Sequence, residues 1–205
     1  MNPAEVLIDH ALGLEWAALP EPARQAARIF LHDTLCVGVA GANAPYADAI
    51  RAAASGWGAG SECSVLGRPE LRLPAPSAAF VNAFQIHSQE FDCVHEPAVV
   101  HPLATIASVL IAEAERSGPY GGEDLLTALA AGVDVAAGLG VAATTSLKFF
   151  RPATAGIFGC VAALARLRRL PRAVALDALG YALAFAGGTM QARTEGKPAL
   201  PVQIA

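Results

Sequence analysis

Apolar residues recur every three to four positions along most of the chain, and the breaks in that rhythm predict its elements. Residues 3–16 read as a short helix on Val6, Leu7, Ala11 and Leu14. The LPEP run at 19–22 opens a longer helix, about 22–40, with Pro22 at its first position. Ile29, Leu31, Leu35 and Val39 form its predicted buried side. Gly41 and Asn43 close it, and Pro45 permits a third helix to about Ser55. Helical spacing resumes at Ser77 and runs to about Phe91, followed by a polar loop from Asp92 to about His101. Further helices are predicted over 102–117, from Glu123 and Asp124 to about Gly140, over 153–169, and from Pro171 to the Gly187–Gly188 pair. Between the third and fourth helices lies a Gly- and Pro-rich excursion near 60–75, with one β-like run, CSVLG. The pattern predicts an all-α domain over residues 1–205 with that single departure.

Composition sharpens the picture. Hydrophobic residues make up 54% and charged residues 16%, and the excess is mainly alanine. Alanine favours helices and lets their backbones approach closely. It also predicts more apolar surface than one chain buries alone, hence a missing domain or a partner subunit. The apolar run KPALPVQIA at 197–205 points the same way, towards continuation into a buried element. Net charge is −4, which argues against nucleic acid as a partner. The one basic cluster, Arg166, Arg168, Arg169 and Arg172, sits at a predicted helix end, where cations complement the dipole and face water. The apolar stretches are broken before spanning length and the N-terminus lacks a basic signal-like region, so the expectation is a cytoplasmic protein with no membrane contact. Cys36, Cys63, Cys93 and Cys160 show no metal-binding spacing. Cys36, Cys63 and Cys160 read as packing residues, while Cys93 adds a thiol to the polar loop.

That loop carries the candidate chemistry. His87, Glu90, Asp92, Cys93, His95, Glu96 and His101 fall together at a helix end and in the segment after it. Functional groups concentrate on loops held by rigid elements, and an imidazole suits proton transfer at neutral pH. The competing reading is a solvated loop whose histidines cap helices. His87, Glu90, His95 and His101 also offer metal ligands, but no two histidines stand four apart on a helix. Acid–base use is the stronger expectation, and no metal is predicted.

The stretch VNAFQIHSQEFDCVHEPAVVHP resembles a motif of the MmgE/PrpD family: asparagine, His, Asp-Phe-Asp-Asp-Thr and then His-Pro. HDTLCVGVAGA, SVLGRPELRLPAPSAAFVNA, TAGIFGCVAALARL and EGKPALPVQIA resemble, in order, its other conserved-looking blocks, so the likeness covers nearly the whole chain. The family includes 2-methylcitrate dehydratase, cis-aconitate decarboxylase and iminodisuccinate epimerase. The resemblance implies an N-terminal helical domain, with a second α+β domain absent from these residues and supplied in cis or by another chain. It implies a lyase acting on a small di- or tricarboxylate by dehydration or decarboxylation, working as a homodimer without a cofactor. The alternatives are an epimerase or racemase using the same α-proton removal, and a non-catalytic helical module that pairs with a separate chain.

Matched position by position, the resemblance makes His101 the active-site histidine and places Glu90 and Asp92 on the first two aspartates of the motif. Lys197 falls on a lysine that holds substrate carboxylates, and His95 and Arg151 join it as expected substrate-binding groups. Cys93 and Val94 replace the motif's Asp-Thr, Glu90 is one methylene longer than aspartate, and Phe150 stands where many members carry a second histidine. These departures set the chain apart from a standard 2-methylcitrate dehydratase or cis-aconitate decarboxylase.

Overall fold

A computed structural model describes residues 2–194 and 199–205. Among these, the helices are α1 (Pro3–Gly13), α2 (Glu21–Gly41), α3 (Ala47–Ser55), α4 (Ala75–His87), α5 (Pro102–Ser117), α6 (Gly122–Ala142), α7 (Arg151–Leu167), α8 (Arg172–Phe185) and α9 (Ala199–Ile204). The excursion is a hairpin, β1 (Cys63–Val65) antiparallel to β2 (Arg68–Leu73), so it holds one strand more than expected. Pro69 and the charged Arg68, Glu70 and Arg72 hide β2 in the sequence. The hairpin is pinned by α4. Asn82 accepts from the Leu66 N–H at 2.9 Å and donates to the Ser64 carbonyl at 3.1 Å, while Gln85 donates to the Leu66 carbonyl at 2.8 Å. Both side chains are buried, so these bonds offset their loss of water.

The main core lies between α5, α6 and α7, around Leu103, Ile106, Leu110, Ala128, Leu129, Ala136, Ala163 and Leu167. Alanine and glycine set its dimensions. A Cβ placed on Gly132 would stand 2.8 Å from the Gly159 carbonyl, and one on Gly159 would stand 2.7 Å from the Gly132 carbonyl. The two backbones therefore touch where a side chain would separate them. Helix α6 is the only described helix long and apolar enough to cross a membrane, yet nearly half of its most apolar stretch is buried inside the domain. It is a core helix.

Helix α2 corrects the expectation drawn from its hydrophobic pattern. Its buried positions are Thr34, Gly38 and Gly41, with Leu31 and Leu35 half-buried, whereas Ile29 and Val39 are 55% and 50% exposed. The inward face is chosen by size. A Cβ on Gly41 would lie 1.9 Å from the Gln85 carbonyl, so α2 meets α4 backbone to backbone and the larger residues are turned outward. Cys36, expected in packing, is exposed on the same helix.

The arginine cluster is also more tied down than a solvated face. Arg166 is buried and donates to the Leu14 carbonyl at 2.7 Å, Arg168 pairs with Glu113 at 3.3 Å, and Arg172 reaches Asp9 at 2.6 Å. Acids contributed by α1, α5 and α6 draw these cations onto the domain surface.

The packing gives a paired prediction. Gly41→Ala should destabilise the domain by about 1–3 kcal/mol or more, because the obstructing atom is backbone and cannot swing aside. Gly138→Ala, at an exposed position of α6 with open space around its would-be Cβ, should be neutral or stabilising by up to about 1 kcal/mol. Urea unfolding of the two variants beside the parent checks both.

Candidate active site

Helix α4 ends at His87, four residues before the end its periodicity predicted. The Ser88 hydroxyl donates to the Gln85 carbonyl at 2.8 Å, and the Glu90 N–H closes a turn on the His87 carbonyl at 3.0 Å. Glu90 then takes a left-handed conformation, φ 56°, which swings the chain off the helix axis. As a result Asp92 folds back beneath the last turn of α4. The loop continues through a short 3₁₀ turn, Glu96–Ala98, and enters α5 at His101, whose φ of −99° and ψ of 84° make it the residue before the first helical position. Pro102 occupies that first position, where its missing N–H costs nothing.

These turns bring three side chains together. His87 Nδ1 lies 3.0 and 3.1 Å from the two Asp92 carboxylate oxygens. His101 Nδ1 lies 3.3 Å from Asp92 Oδ2, an ion-pair distance without hydrogen-bond alignment. The two imidazoles meet edge to face, with centroids 4.8 Å apart, and Phe150 lies 6.5 Å from the His87 ring. His87 and Asp92 side chains are 2% and 1% exposed, and His101 is 22% exposed. Of the three, His101 alone presents appreciable surface to a ligand.

Burial and pairing pull the charges in opposite directions. For Asp92 burial is the largest influence and favours the neutral acid, but the contacts with His101 and His87 together outweigh it and hold the carboxyl below its ordinary range. For His101 burial again acts most strongly and disfavours the cation, yet the contact with Asp92 prevails and lifts its pKa above the ordinary value. Asp92 is thus an anion that helps His101 retain a proton. Cys93 is pushed up to about 11, mainly by burial, so its thiol stays protonated at neutral pH.

The other residues expected in the site lie differently. Glu90 forms the exposed turn beside the cluster, and its charge adds slightly to the hold on the His101 proton. His95 accepts from the Ala98 N–H at 3.2 Å through Nδ1 and so caps the 3₁₀ turn. Arg151, at the start of α7, donates to the carbonyls of Ala98, Ala143 and Thr145 at 3.3, 3.1 and 3.3 Å, which fastens that helix start to the loop. Phe150 is buried against His87. Lys197 lies outside the described residues. His87, in contrast, was expected only as one of several polar groups in the window. Its spacing of five from Asp92 matches no helical face, so the pairing depends on the early end of α4.

His87, Asp92 and His101 are also the one grouping among the described residues close enough to hold an ion. His87 Nδ1 faces the carboxylate at hydrogen-bond distances and His101 Nδ1 at an ion-pair distance, and two of the three side chains are closed to solvent. We therefore read the cluster as a proton-handling arrangement.

The end of α4 and the start of α5 together hold a buried carboxylate between two histidines. Residues 5–203 match the model of the MmgE/PrpD N-terminal domain, and the chain belongs to that family. It is 32% identical over 194 residues to the human cis-aconitate decarboxylase, covering 91% of this chain and 40% of that protein. The mouse cis-aconitate decarboxylase is 31% identical over 183 residues, covering 85% of this chain and 37% of its own length. The chain thus spans about two fifths of the length of the relatives it matches.

Two outcomes follow from the geometry. Because the folded pKa of His101 is raised, its stabilising effect is complete below the unfolded value of about 6.5 and is lost as pH rises through the folded value. Asp92 contributes above its unfolded value of about 3.9 and loses its contribution as pH falls through the depressed folded one. Asp92→Asn should accordingly cost most between those limits and little in strong acid, as followed by urea unfolding across pH. Elemental analysis of protein purified without chelator should find no stoichiometric transition metal. One zinc or iron per chain, lost on replacing His101, would reverse the proton-handling reading.

Proposed function

We propose that the protein is a cofactor-independent lyase acting on a small di- or tricarboxylate, with decarboxylation of a cis-aconitate-like substrate as its leading reaction and dehydration as the other. The observation that carries this reading is His101, partly exposed and backed by a buried, ionised Asp92. Loss of carbon dioxide breaks a carbon–carbon bond and leaves its electron pair delocalised towards a neighbouring carboxylate. The carbon beside that carboxylate must then receive a proton. A histidine whose pKa is lifted by Asp92 holds a proton near neutral pH and can deliver it from Nε2, while Nδ1 faces the carboxylate. In dehydration the same imidazole, unprotonated, takes a proton from the carbon beside a carboxylate as the hydroxyl leaves.

Anion binding is supported by the way the elements begin. Helix α5 starts at His101 and α7 at Phe150, and both residues pack on the His87 ring, so two positive helix ends start beside the cluster. Lys197 would add a fixed cation for a substrate carboxylate, by its position in the family motif, and Arg151 would shape the pocket through the loop it fastens. The complete enzyme would join a second domain to this one and act as a cytoplasmic homodimer.

The test is turnover by the full-length protein of cis-aconitate, 2-methylcitrate and an epimerisable amino diacid, followed by proton NMR and by carbon dioxide release. His101→Ala should lower kcat by about 10²–10⁴-fold with little change in KM. Lys197→Ala should act chiefly on KM. Failure of the parent protein to convert any of these acids, or undiminished turnover by His101→Ala, would reject the proposal. Racemisation without loss of carbon dioxide or water would move the assignment to an epimerase.

A further inference from the structure

The acid–base reading above uses one histidine, yet Asp92 faces two, and the buried one holds it better. His87 spans both carboxylate oxygens at 3.0 and 3.1 Å, while His101 approaches one of them at 3.3 Å without alignment. An ionised carboxylate only accepts, so the His87 nitrogen facing it has to carry its hydrogen. With 2% exposure, His87 has no path to a substrate. It is also the last residue of α4, whose neighbours are buried almost all round, so its ring is fixed from behind.

We infer that His87 is a positioning residue that donates its Nδ1 hydrogen to Asp92 and so weakens the carboxylate's hold on the His101 proton. The reasoning is electrostatic. A buried carboxylate with a single partner concentrates its charge on that partner and keeps its proton tightly. A second N–H donor spreads the anion's charge, so that removing the proton from His101 leaves an anion that is still solvated by the protein. His87 moderates, while Asp92 raises. A base or acid works best when its pKa lies near the operating pH, and a lone buried aspartate would carry His101 past that point.

No other group described around His101 substitutes for this donor. On the loop, Glu90 pushes His101 in the same direction as Asp92. From α2, Asp33 adds further negative charge near Cys93. From α7, the Arg151 guanidinium is spent on three carbonyls. Helix α5 carries no ionisable side chain before Glu113, and α9 carries none among its residues.

The proposal rests on the acid–base reading but is tested apart from it, by histidine-labelled NMR titration of the full-length protein without substrate. In the parent protein His87 should show a hydrogen-bonded Nδ1 proton. A proton on Nε2 alone would overturn the inference without any variant. His87→Leu, which keeps the volume but not the donor, should move the His101 titration to higher pH. His87→Asn, whose amide nitrogen stands near the place of Nδ1, should return it close to the parent position. A His101 titration unmoved or lowered in His87→Leu, or displaced equally in both variants, would overturn the inference. Where turnover is present, the His101 limb of the pH–rate profile should move in the same direction as the titration. A loss independent of pH would mark His87 as packing. Absence of turnover in the parent would reject the lyase assignment and leave the titration result standing.

Discussion

The organisation of this domain turns on one buried charge. Removing the Asp92 carboxylate from water is costly, and leaving it without a partner there costs roughly 3–5 kcal/mol when one side of such a pair is removed. The chain meets that cost from two sides, with a histidine at the end of α4 and a histidine at the start of α5. Each helix boundary is therefore placed by the need to deliver an imidazole, and the loop between them follows. Charge burial here does what a hydrophobic cluster does elsewhere: it fixes where two helices stop and start. It also raises the pKa of the partly exposed His101 imidazole above its ordinary value.

Much of this could be read from residue order. Helices α1 to α8 followed from apolar spacing, while α9 did not, and the entry to α5 followed from the His-Pro pair, because proline suits only the first turn. Other parts needed three dimensions. The residues Ser88, Gln89, Glu90 and Phe91 are compatible with continued helix, so nothing local announced that α4 stops at His87. Once it stops, a separation of five residues becomes a contact, and the buried histidine enters the site. Arg151 was expected on the substrate side because its charge was visible, whereas the carbonyls of Ala98, Ala143 and Thr145 that occupy it were not.

Helix α2 shows a different limit. Hydrophobic pattern ranks Ile29 and Val39 above Thr34, Gly38 and Gly41, but close approach to α4 selects for the absence of side-chain volume. The same rule operates between Gly132 and Gly159. At these two closest crossings, small residues mark where the backbones meet, and on α2 the large ones turn outward. This inversion explains why the apolar excess of the composition appears partly on the outside.

The turn that ends α4 has one more consequence. His87 and His101 sit at the two ends of the loop and touch each other ring to ring, so the segment between them leaves the site and returns to it. Its middle carries exposed Phe91, Val94 and Val99. Closing a longer loop on fixed ends costs only about 0.6 kcal/mol for each doubling of length. The loop tip can thus be lengthened or rewritten at small entropic cost while the two imidazoles at its base keep their distance.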